Sequence, residues 1–356
     1  MKLFTVGPVE MAPDICRVAA EPLPYFRTQA FSALLKELER QFLESIAAPD
    51  EARAVFLTAS GSGAMEAAVT GLFGPEDKLL VIDGGSFGHR FAEICRLHKL
   101  PATIHSLPLA EDFSADTLAP YSGRGFTGLL IQAHETSIGK KLDLAAAGAW
   151  CRREGCLLVA DCVSAYLVDD LDMEGMNIDL LLTASQKALA LQPGLTLLAC
   201  SKAVVDRIYA HPDRGGLYLN LYQAFLNAER GQTPFTPALA IIYQLRARLE
   251  GISAAGGPKT EVKRCADLAG YLRRRLAAET PFSLPTYSLS NGLTPVWTGQ
   301  FDAYRLFEEL LADGFTVTPC GGDLAKRMLR IGHMGNLTPS DYDTLLTALK
   351  KRLEFY

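Results

Sequence analysis

The sequence predicts an α/β fold, a mainly parallel mixed sheet flanked by helices, with a smaller α+β domain at the C-terminal end. Two patterns predict it. Between about residues 54 and 201, short β-rich apolar runs alternate with stretches of helical period, as βα units do. From Lys259 onward the order becomes helix, strands, helix, strand, helix, which suits a separate α+β unit.

Strands are expected at Ala54–Leu57, Leu79–Ile82, Gly128–Gln132, Leu157–Ala160, Leu180–Thr183 and Leu195–Ala199. Helices are expected between them at Ala64–Phe73, Gly88–His98 and Leu144–Glu154, with Met65, Ala68, Val69 and Leu72 recurring at helical spacing. The last two strands are joined by little more than Gln192-Pro193-Gly194, too short for a crossover helix, so their pairing is expected to be antiparallel. Thr236-Pro237 then starts a helix over Ala238–Gly251, with Leu239, Ile242, Leu245 and Leu249 on one face. Ser253-Ala254-Ala255-Gly256-Gly257-Pro258 breaks the chain, which sets the expected division into a large domain over 21–252 and a small one over 259–356.

The 356 residues, 49% hydrophobic and 21% charged, can bury a large core. A net charge of −5 provides no basic field to attract nucleic acid or anionic lipid. Eight scattered cysteines form no CxxC pair, which fits a reduced cytosol and argues against structural zinc. Gly7, Pro8, Glu10 and Pro13 interrupt the region where a signal peptide needs an apolar run, and no run reaches the ~18 apolar residues of a membrane span. A cytoplasmic protein with no nucleic-acid or membrane partner and no metal is expected.

Chemistry concentrates at strand ends. Lys187, in Thr183-Ala184-Ser185-Gln186-Lys187-Ala188-Leu189, directly follows the apolar run Leu180-Leu181-Leu182. A lysine held in an apolar or cationic pocket is neutral enough to form a Schiff base with an aldehyde, although taken alone it reads more readily as a solvated strand end. Asp161 closes the run Cys156-Leu157-Leu158-Val159-Ala160, and a carboxylate there is costly without a cationic partner. A pyridinium nitrogen is such a partner, and the carboxylate then keeps the ring protonated as an electron sink. An isolated Asp161 could as well cap a helix; followed by a second strand ending in Ser-Gln-Lys, it favours the cofactor.

Three loops add weaker signals. Thr58-Ala59-Ser60-Gly61-Ser62-Gly63-Ala64 is a glycine-rich turn before a helix, where free N–H groups bind phosphate, but it has neither a Walker lysine nor GxGxxG. Phe87 sits among glycines in Asp83-Gly84-Gly85-Ser86-Phe87-Gly88-His89-Arg90 and is exposed unless it covers something flat, such as a cofactor ring. Thr136, in His134-Glu135-Thr136-Ser137, brings a hydroxyl to the same sheet edge, to meet a phenolate or to cap a following helix.

Taken together, Thr5-Val6-Gly7-Pro8, Ser60-Gly61-Ser62-Gly63-Ala64-Met65-Glu66, Gly85-Ser86-Phe87-Gly88-His89-Arg90, Glu135-Thr136-Ser137-Ile138-Gly139, Asp161-Cys162-Val163-Ser164, Ser185-Gln186-Lys187-Ala188-Leu189, Phe235-Thr236-Pro237 and Leu329-Arg330-Ile331-Gly332 span nearly the whole chain. In that order they resemble the class V, fold-type I pyridoxal-phosphate aminotransferases of the alanine–glyoxylate, serine–pyruvate and 2-aminoethylphosphonate group. The resemblance implies pyridoxal 5'-phosphate bound covalently by Lys187, with Asp161 on the pyridine nitrogen and Phe87 stacked on the ring. Val163 would back the ring, Thr136 would meet its phenolate oxygen, and Gly61, Ser62 and Gln186 would hold the phosphate. Thr236 would reach the phosphate of a neighbouring subunit in a homodimer with shared active sites. Arg330 would bind the substrate carboxylate, and residues 1–20 would associate with the small domain and the active site.

The implied reaction is ping-pong transfer of an amino group from a small amino donor (alanine, serine or 2-aminoethylphosphonate) to a 2-oxo acid, pyruvate or glyoxylate. Phe87 stands where relatives often have tryptophan or tyrosine, Ile138 where they often have threonine, and Lys140-Lys141 with the short stretch to Asp143 also departs, so the substrate is not copied from any one relative. A cysteine desulfurase is the nearest alternative, because Cys320 precedes the late arginine, but those enzymes usually have His-Lys where this chain has Gln186-Lys187. A non-catalytic binding protein on the same fold would usually lack the lysine, the aspartate or the arginine. The glycine spacing does not support a nucleotide-binding dehydrogenase.

Overall fold

A computed structural model describes residues 1–354. Seven strands form the main sheet: β1 (Arg53–Leu57), β2 (Leu79–Asp83), β3 (Ala102–Ser106), β4 (Gly128–Gln132), β5 (Leu157–Asp161), β6 (Leu180–Ala184) and β7 (Thr196–Cys200). Their order across the sheet is β1-β7-β6-β5-β4-β2-β3. Strand β7 runs antiparallel to both β1 and β6, as its short connection requires, and the other pairings are parallel. The C-terminal ends of β1, β2, β4, β5 and β6 therefore share one edge, and the loops leaving that edge are the ones that carried the chemical motifs.

Local sequence explains the helices. Leu144–Glu154 starts where Asp143 accepts a hydrogen bond from the Ala146 amide at 3.0 Å and ends where Gly155 turns left-handed at φ 69°. Helix Gln29–Ser45 is capped by the Thr28 hydroxyl and buries Phe31, Leu35, Leu38 and Phe42 at helical spacing. Helices Gly61–Leu72 and Ser86–Leu97 pack against the sheet through Met65, Val69, Leu72 and Phe91. On the opposite face Trp150, Tyr166 and Phe42 are fully buried among the sheet's other side chains.

The C-terminal residues build a second core around helix Pro258–Glu279, with Leu268, Leu272, Leu306, Ile331 and Leu345 buried together. Its small antiparallel sheet is β8 (Leu293–Trp297), β10 (Met328–Gly332) and β9 (Thr318–Pro319), in that order. Phe4 is buried in the same core, Lys2–Leu3 pairs in parallel with Phe315–Thr316, and the Gly332 amide donates to the Phe4 carbonyl at 2.7 Å. The N-terminus is thus woven into the C-terminal packing.

Several expectations need correction. Strand β3 and helices Gln29–Ser45, Lys202–Ala210 and Leu221–Ala228 were not anticipated. The C-terminal order is helix, strand, helix, strands, helix, because Phe315–Thr316 and Thr318–Pro319 follow Ala303–Ala312. The two site helices also begin earlier than expected, at Gly61 and Ser86, so Gly61, Ser62 and Phe87 lie in first helical turns. Among the described residues, no helix is long and apolar enough to cross a membrane.

Candidate active site

Loops at the C-terminal edge of the sheet enclose a cavity of about 270 Å³. Its wall brings together Gly61, Ser62, Phe87, Thr136, Asp161, Val163, Gln186 and Lys187, eight of the ten residues expected at the site. The register of the sheet sets part of this placement, since Asp161 lies opposite both Gln132 on β4 and Leu182 on β6.

Lys187 follows β6 in the loop that returns to β7. Ser185 ties the base of that loop, its amide donating to Leu195 and its hydroxyl to the Gln192 carbonyl at 2.6 Å. The lysine is 6% exposed, and its Nζ donates to the Val6 carbonyl at 2.5 Å. Burial brings its pKa down to about 8; the Asp161 charge opposes the shift and Arg330 adds to it. Asp161, equally buried, accepts one hydrogen bond, from the Val163 amide at 2.8 Å, and its other oxygen has no partner among the described residues. Burial pushes this carboxyl up to about 6, against the pull of the Val163 amide, Lys187 and Arg90.

One end of the cavity is built for an anion. Helix Gly61–Leu72 starts there with no side-chain cap on its first amides. A Cβ on Gly61 would lie 3.0 Å from Val163 Cγ2, so a larger residue would press on the wall. Arg90 Nη1 donates to Ser62 Oγ at 2.9 Å, and Gln186 Oε1 is buried without a partner. Phe87 stands above, its ring centroid 5.9 Å from Lys187 Nζ. The helix that carries Phe87 is pinned by Glu135, whose Oε2 accepts from the Phe87 and Gly88 amides at 3.1 and 3.2 Å.

The remaining expected residues are arranged less simply. No helix follows Thr136; its hydroxyl pairs instead with Ser164 Oγ at 2.6 Å. His134 holds the Ser164 carbonyl through Nδ1 at 2.8 Å and Asp169 through Nε2 at 2.7 Å. Arg330, on β10, is not in the cavity wall. It donates to the Thr136 carbonyl at 2.9 Å and the Pro319 carbonyl at 2.7 Å, while its buried Nε has no partner. Thr236 is exposed and also lies outside this wall. Cys320 is buried, directs its thiol to the Ser137 carbonyl at 3.2 Å, and burial pushes that thiol up to about 11. Arg90, His134 and Ser164 line the cavity although sequence reasoning gave them no role; each lay inside or beside a motif already noted.

A family model described as aminotransferase class-V matches residues 25–318. The chain belongs to this family. As a class-V aminotransferase it is 27% identical to the L-aspartate–glyoxylate aminotransferase of Paracoccus denitrificans, across 94% of this chain and 87% of that protein. It is 31% identical to the alanine–glyoxylate aminotransferase of Callithrix jacchus, across 84% of this chain and 75% of the relative. The crystal structure of an alanine–glyoxylate aminotransferase from Nostoc sp. superposes with a TM-score of 0.90 at 26% identity, covering 99% and 94% of the two chains. The architecture is that of fold-type I pyridoxal-phosphate aminotransferases.

Class-V aminotransferases imply pyridoxal phosphate, and the residues present fit that group. A buried carboxylate with a spare oxygen, a buried amine and an uncapped helix start line one cavity. Among the described residues, no cluster of His, Cys, Asp or Glu is suited to a metal.

Proposed function

We propose that this class-V aminotransferase transfers an amino group from alanine, serine or 2-aminoethylphosphonate to pyruvate or glyoxylate in two ping-pong half-reactions. The observation that carries the reading is the buried Lys187 amine and the buried Asp161 carboxylate in one cavity wall. Bound pyridoxal phosphate supplies an aldehyde that captures amines and a ring that delocalises the electron pair released at the donor's α-carbon.

The chain's own groups do the rest. Lys187 Nζ holds the cofactor covalently and then serves as the base that takes the α-proton. Asp161 would keep the ring nitrogen protonated, Phe87 and Val163 would cover the ring, and Thr136 would meet the phenolate oxygen. Gly61, Ser62 and Gln186 grip the phosphate. Arg330 recognises the acid group of donor and acceptor through its planar guanidinium. In this proposal Thr236 completes the phosphate site of a second copy in a homodimer, residues 21–252 carry the cofactor, and 259–356 with the first 20 residues carry substrate contacts. The setting is cytosolic.

The relatives named for glyoxylate support that acceptor, and the one named for L-aspartate adds aspartate to the donors worth testing. A desulfurase would need a thiolate at Cys320, whose thiol is buried and raised to about 11. The test is a set of half-reactions: purified pyridoxal-form enzyme is mixed with each amine, and conversion to the pyridoxamine form is followed by absorbance. Conversion by none of the donors, or sulfide release from cysteine outpacing amino transfer, sinks the reading.

A further inference from the structure

Arg90 is a cation in the cavity wall for which the reaction above has no use. Its hydrogen bond runs from Nη1 to Ser62 Oγ, and its guanidinium carbon lies 4.8 Å from the centre of the Phe87 ring. Among the described residues it makes no ion pair. The acids around it are engaged elsewhere: Asp83 with His89 at 3.1 Å, Glu66 with His98 at 2.8 Å, and Glu135 with the Phe87 and Gly88 amides, Gln132 and Ser137. Asp161, in the same cavity wall, feels the charges of both Lys187 and Arg90 and forms an ion pair with neither.

A guanidinium held at a cavity wall by one neutral hydroxyl and one ring face retains four unused N–H donors and a charge that no carboxylate contacts directly. Two helices begin at this end of the cavity. The start of Ser86–Leu97 is filled by Glu135, whereas the start of Gly61–Leu72 has no side-chain cap. Free first-turn amides, the Ser62 hydroxyl and the Arg90 guanidinium therefore converge where one anion satisfies all three. A phosphate monoester brings about −1.5 to −2 charges at neutral pH, more than neutral donors alone can balance.

We propose that Arg90 is the charge partner of the cofactor's phosphate, held in place by Ser62 and by the face of Phe87. The inference rests on the assignment of pyridoxal phosphate to this cavity. The role is distinguished from one in folding alone by what the side chain does to phosphate in particular.

The experiment compares pyridoxal 5'-phosphate with pyridoxal, which lacks the phosphate. Apoprotein is titrated with each by absorbance, in wild type, Arg90→Gln and Arg90→Lys, with far-ultraviolet circular dichroism on every variant. The ratio of the two dissociation constants reads the contribution of the phosphate. Arg90→Gln is expected to shrink that ratio at least ~10-fold while pyridoxal binding stays within about 3-fold of wild type, and Arg90→Lys is expected to restore much of it. Inorganic phosphate should compete with pyridoxal phosphate in wild type and lose that ability in Arg90→Gln. An unchanged ratio, or equal loss of both ligands, overturns the role of Arg90 while leaving Lys187-dependent cofactor capture intact. If wild type itself shows no Lys187-dependent absorbance band, the cofactor assignment falls and this proposal with it.

Discussion

The decisive residue differs from an ordinary lysine in a measurable way. With a pKa of about 8, Lys187 in the apoprotein is neutral at pH 7 roughly 300-fold more often than a lysine at its usual 10.5. The sign follows from burial: removing water penalises the ammonium, so the proton leaves at lower pH. The rate at which apoprotein captures pyridoxal phosphate should climb about tenfold per pH unit and level near pH 8, as read by stopped-flow absorbance. A rate still climbing above pH 10 would show a lysine in contact with water. Asp161→Asn should leave the cofactor bound and slow single-turnover proton transfer by ~100-fold or more, since an amide cannot hold a charged ring nitrogen. Unchanged turnover would remove Asp161 from that role. Arg330→Lys retains charge but loses the flat two-point grip, so affinity for amino and oxo acid should fall at least ~10-fold with the visible spectrum unchanged. Cys320→Ala should leave transamination nearly intact, and its loss of turnover would revive the desulfurase reading.

At the scale of elements, what the sequence displayed depended on burial. Strands β4, β5 and β6 are buried along almost their whole lengths and read as unbroken apolar runs. Edge strand β3 alternates exposed and half-buried residues over Ala-Thr-Ile-His-Ser, too polar a run to stand out from a loop. Helix Gln29–Ser45 did carry its signal, in Thr28 followed by Phe31, Leu35, Leu38 and Phe42, but it lies before the first strand and outside the alternation that organised the reading. The first helical turns at Gly61 and Ser86 were obscured because glycine-rich segments resemble loops until an anion or a carboxylate such as Glu135 stabilises them. Motif order located the cavity, whereas Arg90 and Ser164 gained roles only from partners distant in sequence. The N-terminal segment offers a test at this scale. Gly7 adopts φ 128°, and a Cβ there would lie 2.6 Å from the Lys187 side chain. Gly7→Ala should therefore leave the circular dichroism spectrum native while slowing cofactor capture at least ~10-fold. Capture at the wild-type rate would mean that the segment does not shape the lysine's surroundings.

For the whole molecule, the exposed position of Thr236 matters most. If it completes the phosphate site of a second copy, assembly and cofactor affinity are thermodynamically linked, and each must strengthen the other. Sedimentation at falling protein concentration should show pyridoxal phosphate holding subunits together, with the link weakened in Thr236→Ala. A monomer at high dilution with full activity would refute shared sites.

The pairing of Lys2–Leu3 with Phe315–Thr316 also has a consequence for how the protein is made. By the time a ribosome has added Pro193, every residue of the cavity wall has been synthesised. Yet the carbonyl that accepts the Lys187 hydrogen bond belongs to Val6, and the strand beside it cannot pair until residues 315 and 316 emerge. Contacts spanning more than three hundred residues form late because their loop-closure entropy must be met first. A nascent chain halted near residue 250 should therefore fail to retain pyridoxal phosphate, while the released chain takes it up, so loading of the enzyme is timed by the completion of its own translation.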